Sequence, residues 1–128
     1  MARNLKGLKI EEKDYEILKK LKMPFYIIPG NHDKRTTLLS AFGQVSCPAE
    51  SENFLNFVLD DYEVRLIGID STIPDKPGGE MCADRLAWLE KQLAEEREKP
   101  TVIFMHHSPV KFGVPESDVD GFIGADSL

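Results

Sequence analysis

Two short apolar runs, each ending abruptly in polar side chains of the kind that bind metals, constrain this chain more than any other feature. Phe25-Tyr26-Ile27-Ile28 is closed by Pro29-Gly30 and followed at once by Asn31-His32-Asp33. Thr101-Val102-Ile103-Phe104-Met105 runs straight into His106-His107. Runs this rich in β-branched and aromatic residues, bounded by Pro and Gly, predict buried strands. All three histidines therefore follow predicted strands, and in open α/β sheets ligands gather outside the carboxyl ends of the strands. A lone histidine after a strand is ordinarily a surface residue. Two separate clusters, each capping an apolar strand, predict a site.

The rest of the chain supplies the frame. Residues 11–22 read as a helix with Ile17, Leu18 and Leu21 on its apolar face. A short helix from Thr36 to Phe42 is stopped by Gly43. Phe54 to Leu59 and Glu63 to Ile69 read as a hairpin around Asp60-Asp61-Tyr62. Residues 71–82, with Pro74, Pro77, Gly78 and Gly79, read as a loop. Ala83 to Glu98 is the clearest helix, with Leu86, Leu89 and Leu93 at helical spacing and Trp88 beside them, a stripe read as core. From Val110 onward Gly, Pro and Asp dominate and no element is assigned. Strands and helices alternate around one hairpin, so the fold class is α/β with mixed sheet pairing.

A length of 128 residues favours a single domain, 1–128. No apolar stretch approaches the length needed to span a bilayer, and the first residues contain no apolar signal region. A membrane is not an expected partner, and a cytoplasmic location is the default. The net charge of −6 comes without a broad basic stripe, and the early lysines alternate with acids as on a solvated helix face. Nucleic acid is therefore not an expected partner. Cys47 and Cys82 form no CxxC pair, and a cytosolic context argues for free thiols over a disulfide.

An Asn oxygen together with imidazole nitrogen suits a borderline divalent ion such as manganese, iron or zinc. Gly30 is expected to let the chain turn sharply, so that Asn31 and His32 both face the crevice. Two metals sharing a bridging ligand activate a water and hold the phosphoryl oxygens of an in-line displacement. A neighbouring imidazole that binds no metal is then free to hydrogen-bond the phosphate or protonate the leaving alkoxide, and His32 is the candidate for that role.

The segment from Phe25 to Asp33 resembles the Gly-Asn-His-Asp/Glu block of the calcineurin-like metallophosphoesterases. Phe104 to Val110 is similar to the later strand-His block of that superfamily, and Leu86 to Leu93 to the helix that often precedes it. The order and separation of the blocks also fit. Within the superfamily the likeness runs to bacterial class III cyclic-nucleotide and glycerophosphodiester phosphodiesterases, with Ser108 standing where a proline is typical. The resemblance implies that Asn31 and His106 ligate the same metal ion and that His32 assists at the phosphate. It gives Asp33 a supporting role and His107 a structural one. It also implies a fold of mixed β-sheet sandwiched between helices and a phosphodiester small molecule as substrate.

The resemblance is incomplete. The chain contains no Asp-x-His, no Gly-Asp dipeptide and no late Gly-His-x-His block. Two neutral ligands without a bridging carboxylate cannot neutralise a dinuclear site. The expectation is an internal portion of a longer two-metal phosphodiesterase, a partial sandwich that binds metal weakly and turns over little by itself. An unpaired strand edge would then invite pairing with a second copy. The alternative is a non-catalytic interaction or oligomerisation module derived from a phosphoesterase.

Overall fold

The hairpin expected around residues 60–62 is present, and its second strand is the middle strand of the sheet. β1 (Phe57–Leu59) pairs antiparallel with β2 (Arg65–Ile69), with Phe57 opposite Gly68 and Leu59 opposite Leu66. Both strands are shorter than the apolar pattern suggests, because residues 60–64 form the connection. The structure, a computed structural model, describes residues 16–51 and 53–128.

The other edge of β2 pairs in parallel with β4 (Thr101–Met105), from Arg65 opposite Thr101 to Ile69 opposite Met105. A parallel pair needs a crossover, and α2 (Ala83–Glu95) supplies it. Parallel pairing in register brings the ends of both strands to one edge of the sheet. Asp70, directly after β2, and His106, directly after β4, therefore emerge side by side. The mixed sheet with order β1-β2-β4 and its accompanying helices is the expected α/β class with mixed sheet pairing.

Two apolar clusters hold the molecule. Ile67, Ile69, Met81 and Leu89 are buried together, with Val58, Leu86, Trp88, Met105 and Phe122 packed against them. Leu38, Phe42, Cys47, Ala49 and Leu55 form the second, with Leu18, Phe25 and Ile27 against it. Leu38 and Phe42 come from α1 (Arg35–Ser46), whose helical backbone is broken at Gly43 (φ 62°), the residue expected to stop it.

Several expectations change. Phe25 to Ile28 carries no strand ladder: the Ile27 N–H bonds the Ser46 carbonyl (2.9 Å) at the end of α1 instead. Its rings still pack, Phe25 edge-on to Phe42 at 6.2 Å and Tyr26 against Phe57 at 6.1 Å. β4 is not fully buried, since Val102 and Ile103 are 52% and 39% exposed on its two faces. The buried face of α2 is Arg85, Leu89 and Gln92, whereas Leu93 is exposed. The polar members carry side-chain hydrogen bonds: Gln92 Oε1 accepts from Arg65 Nη2 (3.3 Å), and Arg85 donates to the carbonyls of Glu80 and Thr72. Of the early helix, residues 16–18 are helical and 19–20 already form a turn; its first half lies outside the described residues.

The loop expected over residues 71–82 contains a strand, β3 (Gly79–Glu80), which pairs in parallel with β5 (Phe122–Ile123). Gly79 permits this, because a Cβ there would lie 2.5 Å from His107 Cβ. The tail read as irregular holds α3 (Pro115–Asp118), β5 and a 3-10 turn at Ala125–Ser127.

Candidate metal centre

Asn31 sits where two cavities meet. One, of about 570 Å³, is lined by Asn31, His106, His107, Lys111, Phe112 and Asp126, among others. The second, of about 470 Å³, is lined by Asn31, His32, Lys34, Arg35, Asn53 and Asp75, among others. The structure thus brings Asn31 and His106 to one cavity and sets His32 on the other side of Asn31.

The Asn31 loop is closed by Asp33, whose Oδ2 accepts the Gly30 N–H (2.8 Å) while its own N–H bonds the Gly30 carbonyl (3.0 Å). Gly30 is not in the left-handed region. It matters by leaving room: a Cβ there would meet the His106 ring at 3.1–3.2 Å. On another side the His106 ring meets the His107 ring edge-on, with centroids 4.8 Å apart and planes at 88°. Among the described residues neither ring nitrogen of His106 has a hydrogen-bond partner, so its lone pair is available.

His107 is committed. Its Nε2 lies 3.1 Å from the Pro77 carbonyl and its Nδ1 2.8 Å from Ser71 Oγ. A carbonyl only accepts, so Nε2 carries the proton and Nδ1 accepts the Ser71 hydroxyl. Burial first, and then the neighbouring His106, push His107 below the ordinary histidine range. That shift favours the neutral ring, in which Nε2 donates to Pro77 and Nδ1 accepts from Ser71.

Asp70 is the polar hub of the same edge. Its Oδ2 accepts Arg35 Nε (2.5 Å) and the Leu55 N–H (3.0 Å). Its Oδ1 accepts Arg35 Nη2 (3.1 Å), the Thr72 N–H (3.0 Å) and the Thr72 hydroxyl (2.6 Å). Burial alone would raise this carboxyl. Arg35, Leu55 and Thr72 outweigh burial and hold it below the usual carboxylate range. Arg85 lies over the Phe54 ring at 4.3 Å, and Arg35 over the same ring at 5.5 Å. Asp70, Arg35 and Ser71 have no place in the sequence reading. Their one signal was Asp70-Ser71-Thr72 placed directly after a strand, as His106-His107 is after β4.

Both cysteines are free, and burial raises the Cys47 thiol, so neither the pairing nor the protonation of an active nucleophile is in place there. No helix among the described residues is long and apolar enough to cross a membrane.

The donor types at Asn31 and His106 fit a divalent metal, but their number does not. Among the described residues no group of three or more His, Cys, Asp or Glu side chains is arranged to hold one. Two neutral donors offset none of the ion's charge, so by themselves these residues do not complete a metal centre.

The calcineurin-like phosphoesterase family model matches residues 4–127, and the chain belongs to that family, whose members generally use divalent metals. It is 42% identical over 114 residues to a probable glycerophosphodiester phosphodiesterase of Arcobacter nitrofigilis, covering 88% of this chain and 41% of that protein. It is 35% identical over 106 residues to a glycerophosphodiester phosphodiesterase of Enterobacter lignolyticus, covering 80% and 37%. It is 29% identical over 105 residues to the 3',5'-cyclic adenosine monophosphate phosphodiesterase of Escherichia coli K12, covering 82% and 36%. The chain spans about two fifths of the length of these relatives.

Proposed function

We propose that this chain carries part of the active centre of a phosphodiesterase acting on a glycerophosphodiester or a cyclic nucleotide, in which Asn31 and His106 are metal donors and His32 is the proton-handling group. The observation that carries the reading is the shared cavity of Asn31 and His106, with His106 offering unpaired ring nitrogens. Manganese, iron or zinc bound there would supply Lewis-acid stabilisation of the phosphoryl oxygens. The chain's own residues have narrower tasks. Asp33 holds the turn that presents Asn31, and Gly30 and His107 fix the His106 ring. His32, exposed in the adjoining cavity, hydrogen-bonds a phosphoryl oxygen or gives its proton to the departing alkoxide.

Because the donor set is partial, turnover by the chain alone is expected to be slight. The test is a hybrid in which this chain replaces the matching segment of the Arcobacter relative. With manganese, the hybrid should hydrolyse a glycerophosphodiester, and His32→Ala should lower the rate by about 10²–10⁴-fold. A folded, metal-loaded hybrid whose rate is indifferent to Asn31, His32 and His106 would sink the reading.

A second reading, an interaction module, is favoured by the exposure of Val102 and Ile103 on β4, whose outer edge has no ladder partner among the described residues. A second copy would be the partner. Sedimentation showing a monomer at every concentration would eliminate it. Self-association that survives Asn31→Ala and His106→Ala would support it.

A further inference from the structure

We propose that the Asp70-Ser71-Thr72 turn is the positioning element of the site, fixing the Asn31 loop through Arg35 and the His106 ring through His107. The inference rests on the reading that Asn31 and His106 act together, and it goes beyond that reading by naming what sets their separation. Three consecutive residues at the end of β2 touch both candidate ligand loops, one through each of two separate hydrogen-bond systems.

The first system begins four residues after Asn31. Arg35 presents a two-pronged fork to Asp70, and its Nη2 also reaches the Thr72 carbonyl (3.1 Å) and hydroxyl (3.0 Å). A planar guanidinium bound at so many points has one orientation, which a lysine cannot reproduce. Asp70 in turn is wholly buried and accepts five hydrogen bonds, so it cannot follow if Arg35 moves. The start of α1, and with it the Asp33-closed turn, is thereby fixed to the end of β2.

The second system leaves from the next residue. Ser71, with no exposed surface, donates its hydroxyl to His107 Nδ1 and accepts the His107 N–H at 3.4 Å. The Pro77 carbonyl accepts from the opposite side of the ring. His107 is therefore held at both nitrogens, and its ring forms one wall against His106 while Gly30 forms another. Groups that orient a metal ligand from behind in this way commonly control metal affinity.

Long-range ¹H–¹⁵N spectra of the full chain, at a pH where its histidines are neutral, test this without any metal. Wild-type His107 should show one tautomer, with the proton on Nε2. Ser71→Ala should give His107 mixed tautomers and shift the His106 ring signals. Arg35→Lys should shift the Asn31 side-chain amide. In a manganese titration both variants should bind about 10–100-fold more weakly than wild type. A wild-type His107 carrying its proton on Nδ1 overturns the proposal, whether or not the variants fold. So do His106 and Asn31 signals that stay in place in both folded variants. If the wild-type chain binds no manganese, the metal reading fails by itself, and the ring and amide signals still decide the positioning.

Discussion

Arg35 and Asp70, 35 residues apart in sequence, meet as a two-point ion pair, Nε to Oδ2 at 2.5 Å and Nη2 to Oδ1 at 3.1 Å, with the Asp70 side chain fully buried. Removing one partner of such a pair strands the other charge away from water. Asp70→Asn is therefore expected to destabilise the chain by about 3–5 kcal/mol. Urea unfolding checks it, and a change within about 0.5 kcal/mol would show the pair to be dispensable.

The same carboxylate sets an acid limit. Its folded pKa lies below the unfolded value, so the folded state binds fewer protons there. Its contribution is fully present above the ordinary carboxylate pKa of about 4 and is lost as pH falls through the lower folded value. The midpoint of urea unfolding should fall as the pH drops below about 4, and the drop should be smaller in Asp70→Asn.

Gly79 is sterically committed to His107. A Cβ at that position would lie 2.5 Å from His107 Cβ and 2.7 Å from Cγ, closer than atoms can approach. Gly79→Ala should cost about 1–3 kcal/mol, as overpacking does. It should also break the Ser71–His107 hydrogen bond, visible as a change in the His107 tautomer.

At Gly30 the conflict is milder, 3.1 Å to His106 Cε1, and what must yield is an exposed ring. Gly30→Ala should leave thermal stability nearly unchanged while displacing the His106 ring. Unchanged His106 signals in this variant would mean that Gly30 does not shape the site.

Much of this frame was legible in the sequence, and the exceptions have physical reasons. The hairpin and α2 follow from apolar periodicity, which burial of one face imposes. Of the two strand-then-histidine patterns only Thr101–Met105 before His106 is a strand, and parallel pairing sets its end beside that of β2, where Asp70 follows. Phe25 to Ile28 misleads because β propensity reports suitability for a pleated surface, not the presence of a ladder partner. Arg85 and Gln92 escape the pattern because a polar side chain with enough hydrogen bonds can be buried as deeply as leucine. Gly30 does open the expected turn, but nothing in the sequence signals that its missing side chain also leaves space for a ring 76 positions further on. Contacts of that range leave no local signature, and the Arg35–Asp70 and Ser71–His107 pairs are hidden for the same reason.

Manganese retention and line broadening, measured on wild type, Asn31→Ala and His106→Ala, test the central claim most directly: that Asn31 and His106 together form part of a metal centre. Weak binding that broadens the Asn31 amide and the His106 ring at the same manganese concentration, and that disappears with either substitution, is the expected result. About two ions held tightly per chain, with neither substitution changing their number or affinity, would contradict it.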